Sequence, residues 1–344
     1  MQTQHKSTDE VAQTPMRVFV LGATGTIGRA AVATLVAAGH DVTVFIRPRS
    51  SLDATDVDAG SAALFGSNGV RVRVGNPLDP VSLTKQGFAH ESFDVLLSCM
   101  ASRHGSPEDA WAVDHAGHVT ALAAARDAGV EHFILLSALC VQKPKLAFQR
   151  AKRAFEQHLI ASGVRYSIVR PTAFFKSLSG QVERLRRGKP YLMFGDGRLT
   201  ACKPISDRDL GRFLAQCIDD PNCWNKVLPI GGPGPAITPR EQGELLFKAL
   251  GKQPKFQRVP LWLLRGVIGG LAMLGTFLPG ARAKAELARI GYYYASESML
   301  IWDEQAQRYD ADATPSFGED TLADHFQALA ERRVSIDLGE HAVF

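Results

Sequence analysis

Hydrophobic positions in the first half of the chain fall into short unbroken runs, separated by longer stretches of helical period. Val18-Phe19-Val20-Leu21 leads straight into Gly22-Ala23-Thr24-Gly25-Thr26-Ile27-Gly28, and residues 29–38 then read as a helix that stops at Gly39. Four apolar residues without polar alternation fit a strand buried on both faces. Similar runs at 42–46, 93–99, 132–137 and 166–170, and a stretch at 70–75 that alternates apolar and basic residues, predict further strands, with helices over about 110–128 and 146–162 between them. Strand alternating with helix in this way predicts an α/β fold, a Rossmann doubly wound parallel sheet with right-handed crossovers.

After residue 170 the pattern loosens. Residues 191–197 read as a short strand and turn, and 226–230 as a last strand. Ser206 with Asp209, and Thr238 with Glu241, have the spacing of helix N-caps followed by an acid at the third position. From there to Phe344 the chain reads as mostly helical, and Tyr292, Tyr293 and Tyr294 lie in this part. The apolar run 261–278 is interrupted by Arg265 and four glycines. It is barely long enough to span a bilayer, so the reading is a buried or surface-docking helix pair, with a peripheral membrane contact left open.

The turn after the first strand carries the first chemical signal. Its glycines at 22, 25 and 28 let backbone approach a pyrophosphate, and the helix that follows offers free N–H groups at its start. Gly22, Thr24, Gly25, Thr26, Ile27 and Gly28 are therefore expected to bind a dinucleotide. In NAD-binding versions of this unit an acid ends the second strand and holds the ribose 2′-hydroxyl. Here Arg47 stands there with Arg49 close by, which favours a 2′-phosphate and so NADPH. Asn76 follows the third strand near the expected adenine, Ala101 and Ser102 leave the fourth over the cofactor, and Pro171 and Thr172 close the sixth. These readings divide the chain into a disordered tail (1–15), an NADP-binding Rossmann domain (16–235, with 172–205 contributing to the substrate site) and a mostly helical C-terminal substrate lobe (236–344).

Composition narrows the class. The 344 residues are 45% hydrophobic and 22% charged, with a net charge of +4, and no basic tract is interleaved with aromatics. That suits an anionic small ligand and gives no sign of nucleic acid. The five cysteines are scattered without a Cys-x-x-Cys pair, so no metal or iron–sulfur site is expected. An odd cysteine count and a polar first segment suggest a cytoplasmic protein.

Short-chain dehydrogenases supply a proton through a Tyr-x-x-x-Lys helix motif. The matching stretch is Phe148-Gln149-Arg150-Ala151-Lys152, with the lysine kept and the tyrosine replaced. Lys152 is expected to bind the nicotinamide ribose and to be available for proton relay. Without a phenol to protonate an alkoxide, ketone–alcohol chemistry is disfavoured against reduction of a carbon–carbon double bond. Ser137 ends the fifth strand, where it could orient substrate or cofactor, or simply bond to backbone. Phe174, Phe175, Tyr191 and Phe194 could line a flat apolar pocket, and Lys176, Arg187, Lys189 and Lys203 could pair with a substrate carboxylate.

Several segments carry a resemblance. They are Cys99-Met100-Ala101-Ser102-Arg103, Leu136-Ser137-Ala138-Leu139-Cys140-Val141-Gln142-Lys143-Pro144, the Phe148–Lys152 stretch, Phe194-Gly195-Asp196-Gly197, and the runs 166–178, 201–206, 228–234 and 293–300. With these the sequence resembles the NADPH-dependent divinyl chlorophyllide 8-vinyl reductases of plants and photosynthetic bacteria. Those are atypical short-chain dehydrogenases of the NmrA-like group. The likeness extends from Arg17 to the C-terminus, and no plant-type transit peptide is recognised. The resemblance implies an oxidoreductase of (bacterio)chlorophyll biosynthesis that reduces the 8-vinyl group of divinyl chlorophyllide or protochlorophyllide with NADPH. It also implies a photosynthetic bacterium as the source and a location peripheral to the photosynthetic membrane. Lys152, Tyr191 or water would supply the proton, and Phe174, Phe175, Lys176, Phe194 and Lys203 would meet the pigment. The alternatives are a non-enzymatic NADP sensor or assembly factor, and a reductase of another conjugated double bond. The oligomeric state is not fixed by the sequence.

Overall fold

The computed structural model describes residues 14–48, 65, 69–102, 106–275 and 279–334. Most of the expected tail, Arg49 and Arg103 lie outside them. Seven parallel strands form the main sheet: β1 (Arg17–Leu21), β2 (Asp41–Ile46), β3 (Arg71–Val74), β4 (Val95–Ser98), β5 (His132–Leu136), β6 (Arg165–Pro171) and β8 (Lys226–Ile230). Their order is β3-β2-β1-β4-β5-β6-β8. The order reverses between β1 and β4, so the carboxyl ends of those two strands flank the crevice where open α/β sheets take ligands.

The unbroken apolar runs are explained by burial on both sheet faces. Val18 and Val20 face one way, into a core closed by α1 (Thr26–Ala37) and by α4 (Asp207–Asp219) through Leu210, Leu214 and Ile218. Phe19 and Leu21 face the other way, toward α2 (His118–Asp127) and α3 (Ala147–Ala161) with Phe133, Phe155 and Leu159. Helices α1 and α4 pack backbone to backbone, since a Cβ on Gly211 would stand 2.8 Å from the Ala30 carbonyl carbon.

The C-terminal part differs from the expectation in being less purely helical. Strand β7 (Tyr191–Phe194) pairs in parallel with β9 (Phe256–Val259), and β10 (Ile301–Asp303) forms a hairpin with β11 (Arg308–Asp310). Helix α5 (Pro239–Ala249) opens with the anticipated capping box, in which Thr238 and Glu241 satisfy each other's backbone amides. At α4 only half of the anticipated device is present. Ser206 caps Asp209 N–H, but the Asp209 carboxylate accepts from the N–H groups of Glu319 and Asp320 and so ties down the C-terminal loop. The run 261–278, read as a helix pair, holds a single described helix, α6 (Leu261–Leu274); it packs against α7 (Pro279–Ser296), which begins beyond that run, and none of its residues is buried. A last helix, α8 (Leu322–Ala330), places Phe326 in the lobe core beside Phe247 and Leu185.

Two histidines are sealed in the sheet domain as neutral rings. His118 Nδ1 lies 2.9 Å from the Val113 carbonyl, which can only accept, so its Nε2 receives the Ser98 hydroxyl at 2.8 Å. Ser167 donates to Cys223 O at 2.8 Å, so His132 Nε2–H donates to the Ser167 oxygen at 2.9 Å. Burial drives both pKa values down to about 4, helped by Lys152 at His118 and by Arg165 at His132. The native state therefore refuses a proton that the unfolded chain accepts near pH 6.5, and the stability these rings contribute is lost as pH falls below that value. Between pH 6.5 and 5 the two rings together should cost about 3 kcal/mol of unfolding free energy. Urea titrations across that range should show it, and His132→Gln should remove about half of the dependence.

Candidate active site

The crevice at the carboxyl edge begins with the glycine turn. Gly22 has φ +73°, and a Cβ there would stand 2.5 Å from the Cys99 carbonyl; a Cβ on Gly28 would stand 2.2 Å from Gly22 O. These two glycines let β1, the end of β4 and α1 meet. Gly25 is different: a Cβ there would meet only Gly22 O, at 3.4 Å, and would otherwise point into open space. It is the exposed N-cap of α1 and makes no side-chain cap, and the first turn of the helix carries no acid. The resulting cradle of bare N–H groups at a positive helix end fits a pyrophosphate. Thr24 and Thr26 flank it, half-buried, and Ile27 is buried beneath.

The other expected cofactor residues lie along the same edge. Arg47 is exposed just beyond β2. Asn76 is exposed after β3, its side chain accepting from Leu78 N–H at 3.1 Å. Ala101 and Ser102 follow β4, exposed and half-buried respectively. Pro171 ends β6, and the buried Thr172 donates its hydroxyl to Lys203 O and its N–H to Ile230 O.

Beside the crevice stands a buried charge pair. Lys152 on α3 is 9% exposed and places its ammonium 2.9 Å from the carboxylate of Asp114, which is 1% exposed. Asp114 also accepts the Ser102 hydroxyl at 2.6 Å and the Ser102 N–H at 3.3 Å. It sits in a π-helical stretch, Trp111–Gly117, that directly precedes α2. Wide turns of this kind re-aim side chains and are frequent at functional sites. A buried lysine needs a partner, and Asp114 is the residue that reading the sequence missed. The available signal was a lone acid among the small, apolar and histidine residues between Trp111 and Val119, which needs a cation once its helix packs on the sheet.

Other expected residues have different surroundings. The Ser137 hydroxyl donates to Glu156 at 2.5 Å, and Glu156 pairs with Arg170, so this serine belongs to a buried network rather than bonding to backbone. Tyr191 does not join the site: it is buried in the lobe core, edge-on to Phe256, and burial raises its phenol pKa. Among the described residues no hydrogen bond links it to Lys152 or Asp114. Phe175 is likewise core, with its ring 5.3 Å from that of His325. Phe174 and Phe194 are half-buried, Phe174 against the sheet-domain core and Phe194 on β7. The Lys203 ammonium is taken up by Thr314 O at 2.8 Å and Ser316 Oγ at 3.3 Å, so it is a clasp for the C-terminal segment. Lys176 turns back to the glycine turn, donating to Thr26 Oγ1 at 3.1 Å. Phe148, one helical turn before Lys152, packs on Ala110 and Ala151.

Residues 22–221 match the NAD(P)H-binding family model. A chloroplastic divinyl chlorophyllide a 8-vinyl-reductase of Cucumis sativus is 48% identical over 95% of this chain and 79% of its own length; that of Zea mays is 47% identical over 95% and 82%. The chain belongs to the divinyl chlorophyllide a 8-vinyl-reductase family. Its fold also matches a leucoanthocyanidin reductase–NADPH complex from Vitis vinifera, with a TM-score of 0.64 at 16% identity over 92% of this chain and 99% of the other. The Lys152–Asp114 pair is a buried charge pair beside the crevice. Lys152→Ala should raise the dissociation constant for NADPH about tenfold or more, the loss expected for a charge-assisted bond. Titration of nicotinamide fluorescence measures this, and an unchanged affinity would remove the ribose role of Lys152.

Proposed function

We propose that this chain reduces the 8-vinyl group of a divinyl chlorophyllide or protochlorophyllide to ethyl, with NADPH as reductant. The observation that carries the reading is the 46–48% identity to 8-vinyl-reductases over about 95% of the chain. The local chemistry supports it. An NADPH bound in the crevice supplies the hydride. Gly22 to Gly28 and the start of α1 would hold its pyrophosphate, Arg47 its 2′-phosphate, and Lys152, fixed by Asp114, its nicotinamide ribose. Phenylalanine at 148 leaves no phenol one turn before Lys152, which agrees with a vinyl acceptor rather than a carbonyl. One vinyl carbon takes the hydride, the macrocycle spreads the resulting charge, and the other vinyl carbon takes a proton. The core position of Tyr191 leaves Lys152 or water to supply that proton.

Purified protein mixed with NADPH and divinyl chlorophyllide should shift the Soret band to shorter wavelength. One NADPH should be oxidised per pigment, and the product should gain two hydrogens by mass spectrometry. NADPH binding without a Soret shift would favour the sensor reading instead.

A peripheral membrane contact belongs to the same proposal. On α6, Trp262 is 71% and Met273 75% exposed, and Leu263, Val267 and Leu274 are also exposed. Exposed Arg258, Arg265 and Lys284 lie on the same helix pair or next to it. No helix among the described residues is long and apolar enough to cross a membrane, so the pair would lie on the surface. The protein should co-sediment with anionic phospholipid vesicles, and Trp262→Ser with Met273→Ser should reduce the bound fraction severalfold while leaving NADPH affinity unchanged.

A further inference from the structure

Lys176 is a cation selected from the sequence whose position points to a different ligand from the one first expected. It follows β6 on the short segment that runs into the C-terminal lobe. The backbone there is held on both sides: Phe174 bridges to Ile205 and packs on the sheet-domain core, and Phe175 is buried in the lobe core. From this fixed base the half-buried side chain reaches back across the crevice to Thr26 Oγ1, 3.1 Å away. Thr26 is the first residue of α1, directly after the open Gly25. No described carboxylate lies within ion-pair distance of Lys176, whereas Lys152 has Asp114 as its partner.

Among the described residues the half-buried Lys176 ammonium has one acceptor, the Thr26 hydroxyl, so an anion placed against it would gain a charge-assisted bond. The anion that fits the opposite wall is the cofactor pyrophosphate, for which Gly25 leaves room and the α1 N–H groups provide donors. We propose that Lys176 is a phosphate-binding residue that closes over the cofactor pyrophosphate from the lobe side, and not a partner of the pigment carboxylate. This rests on the NADPH-binding part of the proposed function and is independent of which molecule is reduced. Since its segment is anchored in both cores, the same contact would fasten the substrate lobe to the bound cofactor.

The test needs no pigment. Lys176→Met should raise the NADPH dissociation constant about tenfold or more, as expected for a charge-assisted contact. It should also flatten the salt dependence of binding. Affinity for adenosine 2′-monophosphate, which lacks the pyrophosphate, should stay within about twofold of wild type, reporting an intact nucleotide site. Lys176→Arg should restore most of the NADPH affinity. NADPH binding within twofold of wild type would overturn the assignment, as would equal weakening of NADPH and adenosine 2′-monophosphate. Unchanged NADPH binding with a tenfold higher KM for pigment would return Lys176 to the substrate carboxylate. A failure of vinyl reduction alone would leave this result standing.

Discussion

Everything at the carboxyl edge depends on one backbone contact. The Gly22 peptide is wedged between the chain leaving β4 and the first turn of α1, with no space for a methyl group on either Gly22 or Gly28. That contact sets how far α1 can approach the sheet, and so where its free N–H groups point. It also brings the end of β4 against the turn, which carries Ser102 toward Asp114. A substituent at either glycine would push the helix away from β1 and β4 together, because interiors packed this closely transmit strain. Gly25 lies outside the wedge, and its openness is what distinguishes a ligand site from a merely tight turn.

Among the described residues the buried carboxylates and the buried lysine all have partners. Asp114 holds Lys152, Glu156 holds Arg170 and Ser137, and Asp209 holds two backbone amides of the C-terminal loop. Such groups contribute little net stability, since desolvation offsets attraction, but removing one partner is costly. Their value is positional. The Glu156 network fixes the end of β5 against β6, and the Asp114 pair fixes the π-helical stretch against α3. The two networks share α3, so the helix that carries Lys152 is registered against the sheet at two points.

The sheet domain was largely legible because its signal is local. Runs such as Val18–Leu21 and Phe133–Leu136 are apolar for a reason visible in four residues, and the glycine turn follows its strand directly. The site was legible only where a motif spans one helix, as with Phe148 and Lys152. Asp114 was missed because its partner lies 38 positions away in sequence, on another helix. Tyr191, Phe175 and Lys203 were misread for the complementary reason. Residue type alone does not tell a pocket aromatic from a core aromatic, or a free lysine from one that caps carbonyls at 314. Strand β7 was read from the sequence as the short strand after residue 190, but β9, β10 and β11 are three or four residues long, too short for periodicity to separate them from loop.

The C-terminal segment holds the loop that follows β5. After β5, Gln142 donates to Leu300 O at 2.7 Å and accepts from Trp302 N–H at 3.0 Å. Lys143 lies 3.4 Å above the Trp302 ring and 3.3 Å from Glu297, which also takes Lys145 and the Tyr309 hydroxyl. The loop between Ser137 and α3 is thus held by residues 297–309, more than 150 positions further on. Its shape, and with it the approach of α3 and Lys152 to the crevice, is set jointly by the two halves of the chain. A nucleotide-binding half could keep its glycine turn and its parallel sheet while this joint changed. The turn alone therefore does not fix the shape of the crevice; the contacts between the loop and residues 297–309 contribute to it as well.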